Sequence, residues 1–383
     1  MEALGPWEIL AGTLARFGPV WAGLAVILGA SFARRRSLGL YGRVFHTAIG
    51  TIGFALVAFW ALTAILADHV ALFDPYAQSS VLRNKPPGSL DPASGLPYLF
   101  GGDALGRDVF SRMVWGSRSV MVIAPLATLF AYMVGVMLGL PAGYVGGWLD
   151  TALSFLANLV LAFPVILLFY LLVTPEIRQT AIPGTMAAVL FAFPVLFFVV
   201  FFWSRFRERP ETLWLCLGPT LAIGTFVYLG LIGVWDPTGR IAMDANTLNI
   251  FLAVVFISSP TVFRIVRGLT LDIRTRDYVA AAQTRGESPW YIMMWEILPN
   301  ARGPLIVDAC LRIGYTTILL GTLGFFGLGV SPESPDWGST INEGRKLLRI
   351  YVHPALPPAL AIMSLVLGLN LLADALREQS MRD

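Results

Sequence analysis

Nine apolar runs of bilayer length fix the fold class of this chain. They fall at about 17–33, 47–67, 117–140, 151–173, 184–203, 212–234, 247–266, 303–325 and 355–375, and about 20 such residues make a helix long enough to cross the hydrocarbon core. Every backbone N–H and C=O must find a partner there, which leaves helices and closed barrels. Continuous runs, rather than ten-residue alternating segments, select helices. The expected fold is an all-α polytopic membrane protein with eight spans and a candidate ninth at 17–33. That first run ends on Arg34, Arg35 and Arg36 and is preceded by Glu2 and Glu8, not by the basic start of a signal peptide, so it reads as an N-out anchor.

Composition closes off the other classes. The chain is 56% hydrophobic and 13% charged, with a mean hydropathy of +0.70, far from the soluble mix. Its net charge of +3 rests mostly on arginine, with Lys85 and Lys346 the only lysines. No basic block offers a nucleic-acid interface, so membrane lipid is a partner and nucleic acid is not. Cys216 and Cys310 lie far apart in apolar runs and read as small buried hydrophobes.

Arginine in the short loops sets the orientation. Arg34, Arg35, Arg36 and Arg43 place the start of the second run inside. Alternate counting then puts "SRFRERPE" inside and the loops holding Arg178 and Arg240 outside. The same count places 276–300 inside and the long stretches 68–116 and 326–354 outside. "GRDVFSRMVWG", at the end of the first of these, reads as a short amphipathic helix on the membrane surface.

The 276–300 stretch, "RDYVAAAQTRGESPWYIMMWEILPN", is polar between two apolar runs. "RDYVAAAQTR" consists largely of helix formers, and Gly286 suits the left-handed residue that ends a helix. Ser288 followed by Pro289 is an N-cap with proline at the first helical position, and Pro299 closes the second pattern. The spacing predicts helix, turn, helix. Tyr278, Val279, Ala282, Trp290 and Ile297 are available to cover one side, with Arg276, Asp277, Gln283, Arg285 and Glu287 left for water or a partner.

This segment resembles the cytoplasmic signature loop of ABC importer permeases. Ala281 and Ala282 match its two alanines, Gly286 its hinge, and Ile297, Leu298 and Pro299 its close. Asp277, Tyr278 and Ser288 complete the coupling-loop candidates. Ala280 stands where the family usually has Glu, with Asp277 the nearest acidic residue. "FGGDALGRDVFSRMVWGSRSV" (100–120), "GFFGLGVSPESPDWGSTINEGRKLL" (324–348), "GLPAGYVGGWLDT" and "LNLLADALRE" are similar to stretches of the second permease of dipeptide, oligopeptide and nickel importers.

The resemblance implies a type I ABC importer transmembrane fold: a six-helix core, two inserted helices and an extra N-terminal helix. It implies an N-terminal extension (1–40), a first core helix with an extracytoplasmic segment (41–116), a transmembrane domain (117–376) interrupted by an insertion (175–246), and a cytoplasmic tail (377–383). The insertion adds two spans, which preserves parity, and is expected to be peripheral. Implied partners are a second homologous permease, two ABC ATPase subunits and an extracytoplasmic substrate-binding protein, at a prokaryotic inner membrane. The implied cargo is peptide, or else nickel or another small solute. Asp103, Arg107, Asp108 and Arg112 are the candidates for contact with the binding protein, or for local salt bridges.

The chain carries no G-x-x-x-x-G-K-[ST] motif, so no cofactor is expected on it, and ATP and Mg belong to partner subunits. His46, His69 and His353 stand singly, which argues against a metal site or a membrane metalloprotease. Asp308 and Arg312 are spaced i, i+4 and can pair near a span end; Asn370 and Asp374 repeat the spacing. The Phe-rich "FAFPVLFFVVFFWSRF" reads as lipid-facing filler of the insertion. A stand-alone secondary transporter, the rival reading, would show inverted repeats, broken helices and mid-membrane ionisable groups.

Overall fold

The computed structural model describes residues 3–239, 241–329 and 333–380. Glu2, Arg240, part of "GVSPESP" and tail residues 381–383 lie outside the described set. Among the described residues seven helices are long and apolar enough to cross a membrane, or up to nine if each of two bent helix pairs is one span. The chain divides into two compact units, one formed by 1–125 with 306–383 and the other by 126–305.

In the first unit, α1 (Pro6–Arg16) and α2 (Gly18–Arg34) form the first bent pair, at 53°. The bend falls at Phe17, just before Pro19, whose missing N–H and ring favour a helix start there. Helix α3 (Ala48–Ile65) begins at Thr47, whose side chain accepts from Gly50 N. The following segment holds a small hairpin, β1 (Ser89–Leu90) against β2 (Pro97–Tyr98), with Ser89 opposite Tyr98.

Helix α4 (Val109–Val145) then runs for 37 residues without a break. "GRDVFSRMVWG" is therefore not a separate surface helix. It leads directly into the span, and the boundary expected at 116/117 falls inside α4. Nothing in those residues, neither proline nor glycine pair, interrupts the i→i+4 ladder.

Helices α5 (Gly147–Leu161) and α6 (Val165–Val173) make the second bent pair, turned by 82°. The run at 151–173 is thus broken rather than straight. Pro164 supplies the reason, because it cannot donate to the preceding turn and pushes Phe163 away from the helical region. The insertion forms two long helices, α7 (Ile182–Phe206) and α8 (Pro210–Leu231), each with an internal proline. Helix α9 (Ala245–Ile273) follows, then α10 (Asp277–Thr284), a helical stretch over 289–300, α11 (Arg302–Phe325), α12 (Trp337–Arg345) and α13 (Leu356–Ser380).

Glycine sets the close helix contacts in both units. In the first, α3 meets α13 so closely that a Cβ on Gly53 would lie 2.6 Å from Leu372 N and one on Gly368 would lie 2.7 Å from Leu56 Cβ. Trp60 Nε1 donates to Ser364 Oγ across the same pair at 2.9 Å. In the second unit, Gly135, Gly139 and Gly143 form one stripe on α4 against α9. Added Cβ atoms there would fall 2.5 Å from Val262, 2.9 Å from the Phe263 carbonyl and 2.7 Å from Thr270. Lipid gives no hydrophobic push between helices, so close backbone approach and dispersion hold such pairs together. Gly135→Leu is expected to separate α4 from α9 and to cut the yield of folded protein severalfold, measured by detergent-extracted monodisperse material. Undiminished yield would mean that this contact is dispensable.

Candidate functional site

The polar 276–300 segment belongs to the second unit and has the helix–turn–helix form that its sequence predicts. Helix α10 ends on a Schellman motif: Gly286 N donates to Gln283 O at 2.9 Å and Glu287 N donates to Ala282 O at 3.2 Å. The second bond requires a left-handed residue at 286, and Gly286 has φ +80°. Ser288 then accepts from Tyr291 N at 3.3 Å, with Pro289 opening the next helical turn.

The middle of that second helix is a π turn, Ile292–Ile297. Pro299 lies just beyond it and cannot donate to Trp295, so the ladder widens by one residue instead of stopping. The Glu296 carbonyl accepts from Asn300 Nδ2 at 2.6 Å. Pro299 therefore does not close the helix; the turn continues to Asn300 and only Ala301 separates it from α11.

Burial sorts the coupling-loop candidates into two faces. Val279, Ala282, Ile292, Met293, Met294 and Ile297 are buried among α4 and α9 residues that include Met137, Leu140, Val266 and Ile273. Asp277, Ala280, Ala281, Gly286 and Pro299 are exposed, while Ser288 and Leu298 are half-buried. Tyr278 was expected on the covered side, but it is 38% exposed, while its neighbour Val279 is buried. Arg285 bridges the two helices, with Nη2 at 3.1 Å from Glu296 Oε1 and Nε at 3.7 Å from Glu287 Oε1. Below the segment, Arg274 Nη1 donates to the carbonyls of Gly143 at 2.8 Å and Tyr144 at 3.2 Å. A cation there satisfies orphan carbonyls at the C-terminal end of α4 and complements its dipole.

Helix α7 also reaches this segment, so the insertion is not peripheral. Trp295 Nε1 donates to Ser204 Oγ at 3.1 Å, and the Trp295 ring lies 4.5 Å from that of Phe201. Nor is the Phe-rich stretch only lipid-facing. Phe191 is buried against Phe130 of α4 and Phe251 of α9, with ring centroids 5.5 and 5.8 Å away. Other residues of the stretch, such as Phe198 and Phe202, line an apolar cavity of about 530 Å³ between α7, α8 and α4.

In the first unit the two family-like stretches at 100–120 and 324–348 meet around buried charge. Asp103 Oδ1 accepts from Leu105 N and Arg107 N at 2.8 and 2.9 Å, and Arg107 Nε donates to Asp103 Oδ2 at 2.7 Å. Arg107 also pairs with Glu343. Arg112 donates to Ser334 O at 2.9 Å and to the carbonyls of Glu333 and Pro75 at 3.3 and 3.4 Å; its Nη2 lies 3.8 Å from Glu343 Oε2. Burial raises the Glu343 carboxyl above its ordinary range, while the two arginines pull it down. Trp337 Nε1 donates to Met113 O at 2.8 Å, and a Cβ on Gly116 would lie 2.5 Å from Trp337 Cδ1. Asp103, Arg107, Asp108 and Arg112 are all 2% exposed or less. They form local salt bridges and caps, the second of the two uses open to them.

Asp108 is the strained member. Its Oδ2 accepts from Ser111 N at 2.9 Å and Ser111 Oγ at 2.6 Å, while Oδ1 has no partner. Burial pushes its carboxyl up to about 6, against the downward pull of the Ser111 bonds, with the nearby Asp103 charge adding to the rise. A carboxyl raised in the folded state contributes stability that is complete below its unfolded pKa of about 4 and is lost as pH rises through the folded value. Stability is therefore expected to fall between about pH 4 and 6, by up to roughly 3 kcal/mol from this group. Asp108→Asn keeps the capping oxygen without the charge, and should flatten that slope and raise Tm at neutral pH. Thermal unfolding in detergent checks this; equal slopes in both proteins would refute the assignment.

Within the spans, Arg312 Nε donates to Asp308 Oδ2 at 2.5 Å, the i, i+4 pair that the spacing allows. Asn370 and Asp374 are both exposed on α13, and no hydrogen bond joins them. Sequence reasoning missed Asp150, which pairs with Arg267 of α9, with Nη2 2.6 Å from Oδ2. It also missed the Gly135–Gly139–Gly143 stripe, although its G-x-x-x-G spacing signals close helix packing. His353 Nε2 lies 3.1 Å from Gly102 O in the first unit, a loop contact. Among the described residues no group of three or more His, Cys, Asp or Glu side chains could hold a metal ion.

A multi-span helical bundle with an exposed polar helix–turn–helix defines the class as an integral membrane protein. Comparison with known proteins supplies the family. Residues 213–381 match the family described as binding-protein-dependent transport system inner membrane component. The chain is 30% identical over 337 residues to a glutathione transport system permease protein of Pectobacterium atrosepticum, covering 87% of this chain and 86% of the relative. It is 29% identical over 328 residues to a dipeptide transport system permease protein of Haemophilus influenzae, covering 85% and 88%. It is 28% identical over 324 residues to a probable D,D-dipeptide transport system permease protein of Escherichia coli, covering 84% of each. The chain belongs to this family of ABC importer permeases, of the dipeptide and oligopeptide type, with the type I importer transmembrane fold. It is a multi-pass inner-membrane protein, and its relatives are transport permeases rather than enzymes.

Proposed function

We propose that this permease imports peptides together with a second, homologous permease, and that its 276–300 segment is where an ATPase subunit docks. The observation that carries the reading is the Schellman-ended helix–turn–helix at the position of the family's signature loop. One face of it is exposed and the other is buried on α4 and α9. A push on the exposed face passes through Val279, Ala282 and Ile297 into those two helices, which glycine contacts hold together. ATP-driven closure of the ATPase pair would thus bias the bundle between outward and inward access. ATP and Mg stay on the partner chains, since neither lysine of this chain lies in a phosphate-binding loop. Peptide as cargo is supported by the relatives named for glutathione and dipeptide transport, and a binding protein outside would deliver it.

Affinity purification of the tagged permease from its own membranes is expected to bring two ATPase chains and a second permease; a solitary, monomeric permease would sink the proposal. The sidedness follows the same logic, with 276–300 and the α7–α8 turn inside and 68–116 outside. Ala93 and Glu208 are exposed, so Ala93→Cys and Glu208→Cys are suitable for labelling, each in a Cys216→Ser/Cys310→Ser background. An impermeant thiol reagent added to intact cells should label the first and spare the second. Equal labelling would overturn the assignment.

A further inference from the structure

The 276–300 segment must carry force, yet its second half is built from weak parts. A π turn has poor hydrogen-bond geometry and is rarely sustained, and Pro299 removes one donor from the same stretch. Left alone, this stretch would bend under load instead of moving as one piece.

What stiffens it comes from the insertion. At the end of α7, the Ser204 hydroxyl accepts a hydrogen bond from Trp295 Nε1 at 3.1 Å, and the Phe201 ring lies 4.5 Å from the Trp295 ring, tilted by 35°. One residue on, Arg205 Nη1 donates to the Tyr291 hydroxyl at 2.7 Å, and its guanidinium sits 5.0 Å from the centre of the Trp295 ring. Tyr291 precedes the π turn and Trp295 lies in its middle, so α7 grips the start and the centre of the weakest turn. The grip has a fixed base, because Phe191 is buried further up α7 and Tyr228 of α8 donates to Ala188 O at 3.0 Å. Beside it, a polar cleft of about 350 Å³ lies between the α7–α8 turn and Gly286–Ser288, so the grip, together with Phe197 and Val200 packed on the same cluster, carries the contact.

We infer that the α7–α8 hairpin is a brace for the coupling segment, with Phe201, Ser204 and Arg205 as positioning residues that hold Trp295 and Tyr291 in place during transport. This rests on the reading of 276–300 as the ATPase-docking element. The brace has to act by holding, so its residues should affect how much transport each ATP yields, and leave substrate affinity alone.

The test uses the whole reconstituted importer. Phe201→Ala/Ser204→Ala is expected to lower peptide transported per ATP hydrolysed by at least about tenfold, comparable to losing one buried hydrogen bond and its packing. The apparent KM for peptide and the ATPase content of the complex should stay unchanged. Ser204→Thr keeps the acceptor and should retain the wild-type ratio. A second arm guards against misfolding: Arg205→Cys/Tyr291→Cys, in a background without Cys216 and Cys310, loses coupling when reduced. Bridging the two thiols with a short bifunctional methanethiosulfonate should restore it. Loss of transport on bridging, regained with reductant, would mean that the two elements must part, and would overturn the brace. Gly286→Val, measured alongside, separates the failures. If it couples normally, the docking reading falls; if it uncouples while Phe201→Ala/Ser204→Ala does not, the brace alone falls.

Discussion

Gly286→Val is expected to abolish peptide-stimulated ATP hydrolysis and uptake while leaving membrane insertion and yield close to wild type. Gly286 has φ +80°, and an added Cβ would meet no atom within 4 Å. The penalty is therefore backbone strain alone, about 1 kcal/mol for alanine and more for a β-branched residue. That is small against the packing of a multi-span bundle, but it acts on the one residue that sets the angle between α10 and the 289–300 helix. The cheapest relief is to leave the left-handed conformation, which breaks the bond from Glu287 N to Ala282 O and re-aims the segment. Gly218→Val is the control: Gly218 lies inside α8 with open space around it, and there a side chain improves helix propensity. Uptake and ATPase activity, normalised to assembled complex, decide the matter. Full coupling in Gly286→Val would reduce the segment to a solvated connector.

Arg112→Met should be among the most destabilising single changes in the first unit, costing roughly 3 to 5 kcal/mol. The fully buried guanidinium donates to carbonyls of Pro75, Glu333 and Ser334, and it lies 3.8 Å from Glu343. Removing it strands those acceptors and leaves Arg107 as the only cation facing Asp103 and Glu343. Lysine cannot replace it, because a single ammonium cannot span the carbonyls that a planar fork reaches. The expected result is a lower Tm and new protease cleavage around residues 333–348, with little change for Arg349→Ala at an exposed position. If Arg112→Met kept its stability and lost only binding-protein affinity, the residue would be a docking contact after all.

The contrast between Gly286 and Arg112 marks how far the sequence could be read. Gly286, Ser288 and Pro289 announce a turn because their own covalent structure restricts φ or removes a donor, whatever surrounds them. The spans were legible for the same kind of reason: solvent-free backbone must bond within its own helix, so run length alone identifies them. Even Pro164, which breaks 151–173, was visible as a local signal and went unused.

Arg112 is different. Its partners at 333, 334 and 343 stand more than 200 positions away, and a charge carries no mark of which opposite charge it will meet. Its burial, and that of Asp103, Arg107 and Asp108, turned candidates for surface contact into internal pairs. The insertion shows the same limit. Composition marked "FAFPVLFFVVFFWSRF" as apolar, which is equally true of a lipid-facing helix and of one that holds Trp295. The sequence by itself determined that the chain spans a membrane, where it turns, and where a polar segment with a glycine hinge interrupts the spans, because each depends on backbone restriction or run length. Only the tertiary structure decided which charges are buried together and that α7 bears on the coupling segment. Those outcomes depend on shape and distance between remote residues, and many sequences of equal hydropathy would have paired them otherwise.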